Sequence, residues 1–345
     1  MFKTMEFKDD KLYLIDQRKL PREHVIFQCN SYKDVDFAIR DMVVRGAPAI
    51  GAASAYGVVL AAKEFVSLDK YDFLINLEEA MKTLYNARPT AVNLMWAIDK
   101  MRKLIKESKD LVNREIYKEI KKLANRIYEE DIKTNKKIGE YGNTIIPENA
   151  RILTHCNAGA LATVDYGTAL GVIRSAHYSN KNIQVYVDET RPRLQGAKLT
   201  AWELMEDNIP CKLISDNVAA TLIRDGKIDI IVVGADRIAT NGDTANKIGT
   251  FMLSVVAKVY NVPFYIAAPI STIDFKIKTG DEIVIEERDS TEVTYIDGIR
   301  IAPEGVEVYN PAFDVTPGEN ITGIITEKGI IKPPYRENIG KLIHP

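Results

Sequence analysis

The chain has 345 residues and carries 46 basic against 48 acidic side chains, for a formal net charge of −2. This length predicts two domains, and the charge balance gives no electrostatic reason to expect nucleic acid or an anionic membrane as the main partner. The N-terminus is charged, and no apolar run approaches the roughly 20 residues that a membrane helix needs, so we expect a cytoplasmic protein. Three widely spaced cysteines are typical of thiols in a reducing compartment: Cys29, Cys156 and Cys211.

The first 146 residues predict a smaller, mainly helical N-terminal domain that carries a short β element. Short alternations of apolar and polar residues in residues 1–30 indicate the β element. From Tyr32 the apolar residues recur at helical spacing, and helical patterns continue to residue 143. Pro147 follows, and we place the domain boundary between residues 146 and 147.

A run of small residues after Arg45, RGAPAIGAASAYGVVLAAKEF, predicts a helix packed closely on all sides, with Pro48 in its first turn. Arg45 and the backbone N–H groups of Gly46 and Ala47 could form an anion site at the start of that helix. A buried helix preceded by a solvent-facing arginine explains the same residues. Arg88 precedes Pro89 at a predicted bend, where its guanidinium could reach a phosphate or lie in solvent.

Residues 147–345 predict a Rossmann-like α/β domain. Strand and helix patterns alternate from Arg151 onward, and such alternation predicts a parallel sheet with helices on both faces. The five predicted strands are ILTHC, NIQVYVDET, CKLISDN, DIIVVGADR and VPFYIAAP. Neither G-x-G-x-x-G nor G-x-x-x-x-G-K-[ST] occurs there, which argues against a dinucleotide or P-loop nucleotide site. The less regular segment from Asp274 is expected to finish or cover the sheet.

Polar side chains follow the predicted strands at the point where each strand ends. In parallel strands these ends meet at one edge of the sheet, where ligands bind in open α/β folds. We therefore expect one polar cleft that contains a thiol and several carboxylates, although Asp and Asn are also ordinary helix N-caps, and Asp216 fits either role. The side chains concerned are Cys156, Asp188, Glu189, Asp216, Asn217 and Asp236.

Cys156 and Asp236 are the candidate catalytic groups. A tight turn and a predicted helix follow Cys156, and a helix N-terminus favours an active thiolate; a small buried hydrophobe is the alternative. The adjacent His155 points to the opposite face of the strand and is expected to pack rather than to pair with the thiol. Asp236 follows four apolar residues, so we expect desolvation to raise its pKa and suit it to acid–base chemistry.

The loop ATNGDTAN follows Asp236, and the sequence predicts that Asn246, Lys247 and Gly249 then open a helix. A helix start offers unpaired N–H groups and the positive end of a dipole, so Lys247 there suits a phosphate. These groups would form a site for a phosphorylated polar substrate together with Arg45, Arg88 and Gln195.

Five long motifs carry a resemblance to a known family. The chain is similar to the isomerases of methylthioribose 1-phosphate, which share a family with the regulatory subunits of translation initiation factor 2B. The similarity extends over nearly the whole chain. The motifs are RGAPAIG at 45–51, ARPTAVNLMWA at 87–97, THCNAGALATVDYGTALGV at 154–172, DETRPRLQGAKLTAWEL at 188–204 and GADRIATNGDTANKIGT at 234–250.

The resemblance implies a step of methionine salvage, from 5-methylthioribose 1-phosphate to 5-methylthioribulose 1-phosphate. It implies an enzyme that uses no metal and no cofactor and that forms a homodimer. It implies that Cys156 and Asp236 are the catalytic pair. The substrate ligands that it implies are Arg45, Gly46, Ala47, Arg88, Gln195, Asn246 and Lys247.

Alternatives for the function, the substrate and the hydrogen transfer stay open at this point. A regulatory subunit of the initiation-factor type would share the fold without catalysis, but the presence of both Cys156 and Asp236 argues against it. The substrate could instead be 5-deoxyribose 1-phosphate or ribose 1,5-bisphosphate. The residues do not decide whether the hydrogen moves as a proton or as a hydride.

Overall fold

The computed structural model describes residues 2–88 and 92–342. Pro89, Thr90 and Ala91 of the predicted bend lie outside the described residues. The chain divides into two compact units. The first comprises Met1–Thr134 with Ala160–Gly167, and the second comprises Asn135–Gly159 with Thr168–Pro345. This division differs from the predicted boundary after residue 146, because one long helix continues from the first unit into the second.

The first unit combines a small antiparallel sheet with helices. The sheet has the order β1-β2-β3, in agreement with the β element predicted for residues 1–30. Its strands are β1 (Met5–Lys8), β2 (Lys11–Ile15) and β3 (Ile26–Cys29). The helices that begin in this unit are α1 (Tyr32–Arg40), α2 (Ala47–Phe65), α3 (Lys70–Tyr85), α4 (Val92–Glu107) and α5 (Asn113–Asn143).

Helix α2 lies at the centre of the first unit, as its small residues predict. Every residue from Ala49 to Ala62 is buried. Its glycines allow close approach of the neighbouring helices, since a Cβ atom at Gly51 would lie 3.0 Å from the Asn93 backbone oxygen. The prediction of a helix packed on all sides is confirmed.

The second unit contains a mainly parallel sheet. Its strands are β4 (Arg151–Thr154), β5 (Gln184–Asp188), β6 (Cys211–Ile214), β7 (Ile230–Val233), β10 (Phe264–Ala267), β14 (Gly323–Thr326) and β15 (Gly329–Ile331). The order across the sheet is β15-β14-β10-β7-β4-β5-β6. All neighbouring strands are parallel except β15, which runs antiparallel at the edge. The prediction of a parallel-rich α/β sheet is confirmed.

Helices and short strands complete the second unit. The helices are α6 (Ala169–Tyr178), α7 (Ala201–Glu206), α8 (Val218–Arg224), α9 (Thr250–Val259), α10 (Thr291–Thr294) and α11 (Tyr335–Gly340). A second, antiparallel sheet has the order β13-β9-β8 and consists of β8 (Arg237–Ile238), β9 (Thr244–Lys247) and β13 (Phe313–Thr316). A hairpin is formed by β11 (Tyr295–Ile296) and β12 (Ile299–Arg300).

Strand β7 is apolar at every position because both of its faces are covered. Ile230 and Val232 belong to the core on one face of the sheet, and Ile231 and Val233 belong to the core on the other face. Successive side chains of a strand point to opposite faces, so a strand covered on both sides needs no polar position. Among the described residues, no helix is both long enough and apolar enough to cross a membrane.

Two predicted helix starts are wrong. Asn246 and Lys247 lie on strand β9 and do not open a helix; α9 begins at Thr250, because the residues before it pair with β8 and β13. The helix expected directly after Cys156 begins only at Ala169, because residues 160–167 first belong to the other compact unit.

Candidate active site

Cys156 and Asp236 follow the two central strands of the main sheet. Strands β4 and β7 are parallel neighbours, with Ile152 beside Ile230 and Leu153 beside Ile231. Strand β5, which follows β4 in the chain, lies next to β4 within the sheet, and β7 and β10 lie on the opposite flank of β4. In open α/β sheets a crevice forms where the strand order reverses in this way, and ligands bind there.

Cys156 has an unusual backbone conformation. Its φ of +62° lies in the left-handed region, which costs a residue other than glycine on the order of 1–3 kcal/mol. The backbone is held on both sides by hydroxyl groups. The Cys156 N–H donates to Thr190 Oγ1 at 2.8 Å, and the Cys156 carbonyl accepts from Thr200 Oγ1 at 2.6 Å. The side chain is half-buried, so the thiol is not an enclosed core residue.

His155 is packed and does not face the thiol site, as the strand alternation predicts. It is only 1% exposed, and its Nδ1 lies 2.9 Å from Asp188 Oδ2 while its Nε2 lies 2.8 Å from the Ile248 carbonyl oxygen. Burial alone would lower the pKa of His155, but the hydrogen bond and charge of Asp188, with the charge of Asp216, raise it. The ring is therefore stabilised in its charged form.

The same carboxylates account for the predicted cluster at the sheet edge. Ligand atoms of His155, Asp188 and Asp216 lie within 4.8 Å of one another, which is close enough for a shared metal ion. Their hydrogen bonds point to a structural role instead. Asp216 accepts from the backbone N–H groups of Thr190 and Arg191, each at 2.7 Å, and both ring nitrogens of His155 face protein oxygens. Asp216 thus organises the turn after β5.

Asp236 lies in an open position. Asp236 is exposed to solvent, so the predicted desolvation of its carboxylate is wrong. Gly234 and Ala235 carry the chain beyond the buried end of β7, and the apolar residues of the strand do not enclose the carboxylate. The backbone is fixed, since the Asp236 N–H donates to the Ala245 carbonyl at 2.9 Å. The carboxylate is therefore accessible to a ligand.

Lys247 is buried on β9, where it is 2% exposed. Its ammonium donates to the Ala312 carbonyl oxygen at 3.0 Å and lies 5.7 Å from the centre of the Phe313 ring. Burial lowers the pKa of Lys247, while the charges of Cys156 and Asp236 act in the opposite direction. Lys247 is thus within electrostatic reach of both predicted catalytic groups, although no helix dipole assists it.

The start of α9 is already occupied by a carboxylate. Asp314 Oδ2 accepts from the Gly249 N–H at 2.7 Å, and its Oδ1 accepts from the Phe251 N–H at 3.1 Å. The helix start that we predicted as a phosphate cradle is therefore capped from within the chain. Asn246, the other predicted ligand on β9, is buried, and its side-chain amide donates to Thr250 Oγ1 at 3.0 Å.

Two charged residues near Lys247 were missed by the sequence analysis. Arg288 lies 5.4 Å from the Phe313 ring centre, so Phe313 lies close to two cations. Arg288 lowers and Glu292 raises the pKa of Lys247. Both belong to the irregular segment after Asp274. The one sequence signal for them in this segment was a single arginine within the acidic run EERD.

Gln195 is buried beside the end of β5. Its Oε1 atom is inaccessible and has no hydrogen-bond partner within the described chain, so a polar acceptor faces the interior. Gly196 follows it, and a Cβ atom there would lie 1.7 Å from the Asp188 carbonyl oxygen. Glycine at this position lets the chain pass close to β5 and places Gln195 next to the turn that holds Cys156.

The remaining predicted ligands lie in the first unit. Gly46 is the N-cap of α2 with a φ of +91°, and no side chain caps this helix start. Arg45 is half-buried and its Nε atom is inaccessible to solvent, so it is not the solvent-facing arginine of the alternative interpretation. Arg88 is also half-buried and follows α3. Cys156, Gln195, Asp236, Asn246 and Lys247 thus belong to the second unit, in which the charge of Lys247 interacts with those of Cys156 and Asp236, whereas Arg45, Gly46, Ala47 and Arg88 belong to the first unit.

The fold and these residues define a mixed α/β protein with a thiol, a carboxylate and a buried lysine at the carboxyl edge of a parallel sheet. The model of the initiation factor 2 subunit family matches residues 43–333. The chain belongs to this family.

Relatives of the chain carry two kinds of name. A protein of Thermoanaerobacter sp. (strain X514) named methylthioribose-1-phosphate isomerase is 71% identical over 99% of both chains. The crystal structure of a 5-methylthioribose 1-phosphate isomerase from Pyrococcus horikoshii OT3 has a TM-score of 0.96 at 47% identity, covering 99% of this chain and 96% of that one. The structure named translation initiation factor eIF-2B, subunit delta, from A. fulgidus has a TM-score of 0.92 at 44% identity and covers 99% of both chains.

Proposed function

We propose that the protein is an aldose–ketose isomerase that converts 5-methylthio-α-D-ribose 1-phosphate to 5-methylthio-D-ribulose 1-phosphate in methionine salvage. The names of the relatives support this function. The observation that carries it is the arrangement around β4 and β7: adjacent parallel strands lead to Cys156 and Asp236, and the charge of the buried Lys247 acts on both.

The chemistry requires three changes in the sugar. The bond between C1 and the ring oxygen breaks, and the ring oxygen takes up a proton. The hydrogen on C2 moves to C1, and the C2 hydroxyl loses its proton to become the ketone. The phosphate stays on C1, so atoms and electrons balance within the one molecule.

Cys156 and Asp236 can divide this work. Asp236 is accessible and can move a proton between the ring oxygen and the hydroxyls, as a general acid–base group does. Cys156 assists at C1 or C2 from a turn whose backbone is fixed by Thr190 and Thr200. A catalytic group that is held in position speeds the reaction, because it does not have to reach the reacting atoms by diffusion.

The phosphate and the sugar hydroxyls need donors and acceptors. Lys247 supplies a buried positive charge, which is most effective where water is excluded. Gln195 and Asn246 supply buried amides in the same unit. We propose that Arg45, Gly46, Ala47 and Arg88 also bind the substrate, with the uncapped start of α2 as a further group of N–H donors.

Three finer features belong to the same proposal. The catalytic domain, predicted as residues 147–345, is Rossmann-like; the strand order β6-β5-β4-β7-β10-β14, with all six strands parallel, supports this. The protein works as a homodimer in the cytoplasm. The chemistry proceeds without a metal ion or cofactor.

Turnover of the purified protein on three sugar phosphates tests the function. The substrates are 5-methylthioribose 1-phosphate, 5-deoxyribose 1-phosphate and ribose 1,5-bisphosphate. Cys156→Ser is measured beside Cys211→Ser, which changes a half-buried thiol on β6. We expect preference for the methylthio sugar, lost in Cys156→Ser and kept in Cys211→Ser.

Two other results would change the conclusion. Preference for either other sugar would keep the isomerase and change its pathway. No turnover on any of the three would contradict the enzyme and favour a regulatory subunit, as in the name of the structure from A. fulgidus.

A further inference from the structure

The His155 ring connects two chain segments that carry proposed site residues. The residue after His155 is Cys156, two residues beyond the end of β4, and the residue before Ile248 is Lys247, at the end of β9. The ring nitrogen Nε2 lies 2.8 Å from the Ile248 carbonyl oxygen, and Nδ1 lies 2.9 Å from Asp188 Oδ2. One side chain therefore joins the thiol segment, the lysine segment and the end of β5.

The ring is enclosed by its neighbours. His155 and Asp188 are 1% and 0% exposed. Gly249, at a φ of +104°, lies against the ring, because a Cβ atom there would stand 2.9 Å from His155 Cε1. Real Cβ atoms essentially never approach so closely, so only glycine fits the observed ring position.

The hydrogen bonds continue from Asp188 to the backbone of Cys156. Thr190 Oγ1 donates to the Asp188 carbonyl oxygen at 3.0 Å and accepts from the Cys156 N–H at 2.8 Å. The left-handed conformation of Cys156 is thus held by the same end of β5 that holds the ring. A backbone in a costly conformation persists when its surroundings determine it in more than one way.

We propose that His155 is a positioning residue: by bonding Asp188 and the Ile248 carbonyl together, it fixes the Cys156 thiol relative to the Lys247 ammonium. This rests on the proposed isomerase reaction for its effect on turnover. Reacting groups displaced by about 1 Å can cost about 100-fold in rate, which is why a residue that touches no substrate can control kcat.

The two bonds of the ring can be separated by substitution. Both ring nitrogens face oxygen atoms, so His155 donates from both nitrogens when Asp188 is a carboxylate. In Asp188→Asn the side-chain amide can donate to Nδ1, and the neutral ring still donates from Nε2 to the Ile248 carbonyl. That variant keeps the connection to the lysine segment, whereas His155→Gln loses the shape that makes both bonds.

Four variants are compared with the wild-type chain. His155→Gln and Asp188→Asn test the connection. His177→Gln, at the end of α6, is the control for replacing a histidine by a glutamine. Val172→Ala, fully buried on the same helix, is the control for lost stability. We expect kcat to fall about 100-fold in His155→Gln with little change in KM, and to fall less in Asp188→Asn.

The rate at which iodoacetamide alkylates Cys156, followed on its own peptide by mass spectrometry, gives a readout that does not depend on turnover. The Lys247 ammonium favours the thiolate, so losing its position should slow alkylation about tenfold in His155→Gln. Val172→Ala and His177→Gln should leave the rate unchanged. A wild-type alkylation rate in His155→Gln, or an equal slowing in Val172→Ala, would overturn the positioning role.

The two proposals fail in different ways. If the wild-type chain turns over none of the sugars, the isomerase is contradicted and the alkylation rates still decide the role of His155. If the wild-type chain is active and His155→Gln keeps its kcat, the positioning role is contradicted alone. If His155→Gln does not fold, His155→Asn decides: its amide can still bond to Asp188 but is too short to reach the Ile248 carbonyl, so an unchanged kcat together with an unchanged alkylation rate in it would count against the proposal.

Discussion

Arg174 and Glu203 form a salt bridge of 2.8 Å in which both side chains are completely buried. Arg174 also binds Asp207 at 2.7 Å, and Glu203 accepts from the Asn157 amide at 2.9 Å. Asn157 follows Cys156 directly. A buried ionic group thus supports the turn that carries the proposed thiol, and Gly159 closes against it, since a Cβ atom there would lie 2.3 Å from Glu203 Oε2.

Replacing Arg174 by methionine should lower the free energy of unfolding by about 3–5 kcal/mol, because two buried carboxylates lose their cation. Chemical denaturation of the wild type and the variant measures the difference. Arg224→Met is the control: Arg224 binds Asp225 at 2.9 Å on the surface, and we expect no measurable change. Equal stability of Arg174→Met and the wild type would show that the buried group does not stabilise the fold.

Gly46→Ala should destabilise the first unit by at least about 3 kcal/mol, from backbone strain together with a steric clash. The φ of Gly46 is +91°, and a Cβ atom would lie 2.2 Å from the Ala162 backbone oxygen, which cannot move aside as a side chain could. Gly340→Ala is the control, because nothing lies within 4 Å of its Cβ position. Thermal unfolding measures both, and similar midpoints would contradict the prediction.

The architecture around the site could be read from the sequence because its signals are local. Continuous apolar runs such as Ile230–Val233 indicate strands buried on both faces, and the alternation with helices indicates a parallel sheet. The placement of Cys156 and Asp236 at the same edge of the sheet then follows from topology, whereas the adjacency of β4 and β7 is seen only in the strand order of the structure. The packing of His155 followed from the alternation of side chains along β4.

Other features depend on long-range contacts that local patterns do not contain. Lys247 lies on a strand because β9 pairs with β13, some 65 residues further along the chain, and the same strand brings Asp314 to the start of α9. Asp236 is exposed because two small residues separate it from the end of β7. Arg288 and Lys247 both lie close to the Phe313 ring, and no spacing in the sequence predicts that these three residues meet.

Asp236→Asn should lower kcat about 100- to 10,000-fold, because the amide cannot exchange a proton with the sugar. The side chain keeps its size, so binding of the sugar phosphate, measured by calorimetry, should survive. Asp225→Asn on the surface serves as the control and should keep full turnover. Retained activity in Asp236→Asn would remove this residue from the mechanism.

Lys247→Met should weaken binding of the sugar phosphate about 10- to 100-fold, since a charged hydrogen bond to the ligand contributes about 1.5–3 kcal/mol. Methionine fills a similar volume beside Phe313, which limits the loss of packing. Lys258→Met, on the exposed side of α9, is the control. Calorimetric titration of each variant with the substrate gives the affinities, and equal affinity in Lys247→Met would place the phosphate elsewhere.

The stability of the wild type relative to Asp188→Asn should fall as the pH rises. Burial raises the pKa of Asp188 from 3.8 to about 6, so its contribution is fully present below pH 3.8 and is lost as the pH passes about 6. Burial alone would lower the pKa of His155, but the hydrogen bond and the charge of Asp188 raise it above 6.5. The contribution of His155 to stability is therefore lost at still higher pH. In Asp188→Asn the ring loses that carboxylate, and the variant must protonate a buried imidazole in acid. Both effects lower the stability of the wild type relative to Asp188→Asn as the pH rises.

Urea denaturation of the two proteins from pH 4.5 to pH 8.5 measures the difference between their free energies of unfolding. A difference that stays constant or grows with pH would show that the pair does not titrate as its burial and hydrogen bond require.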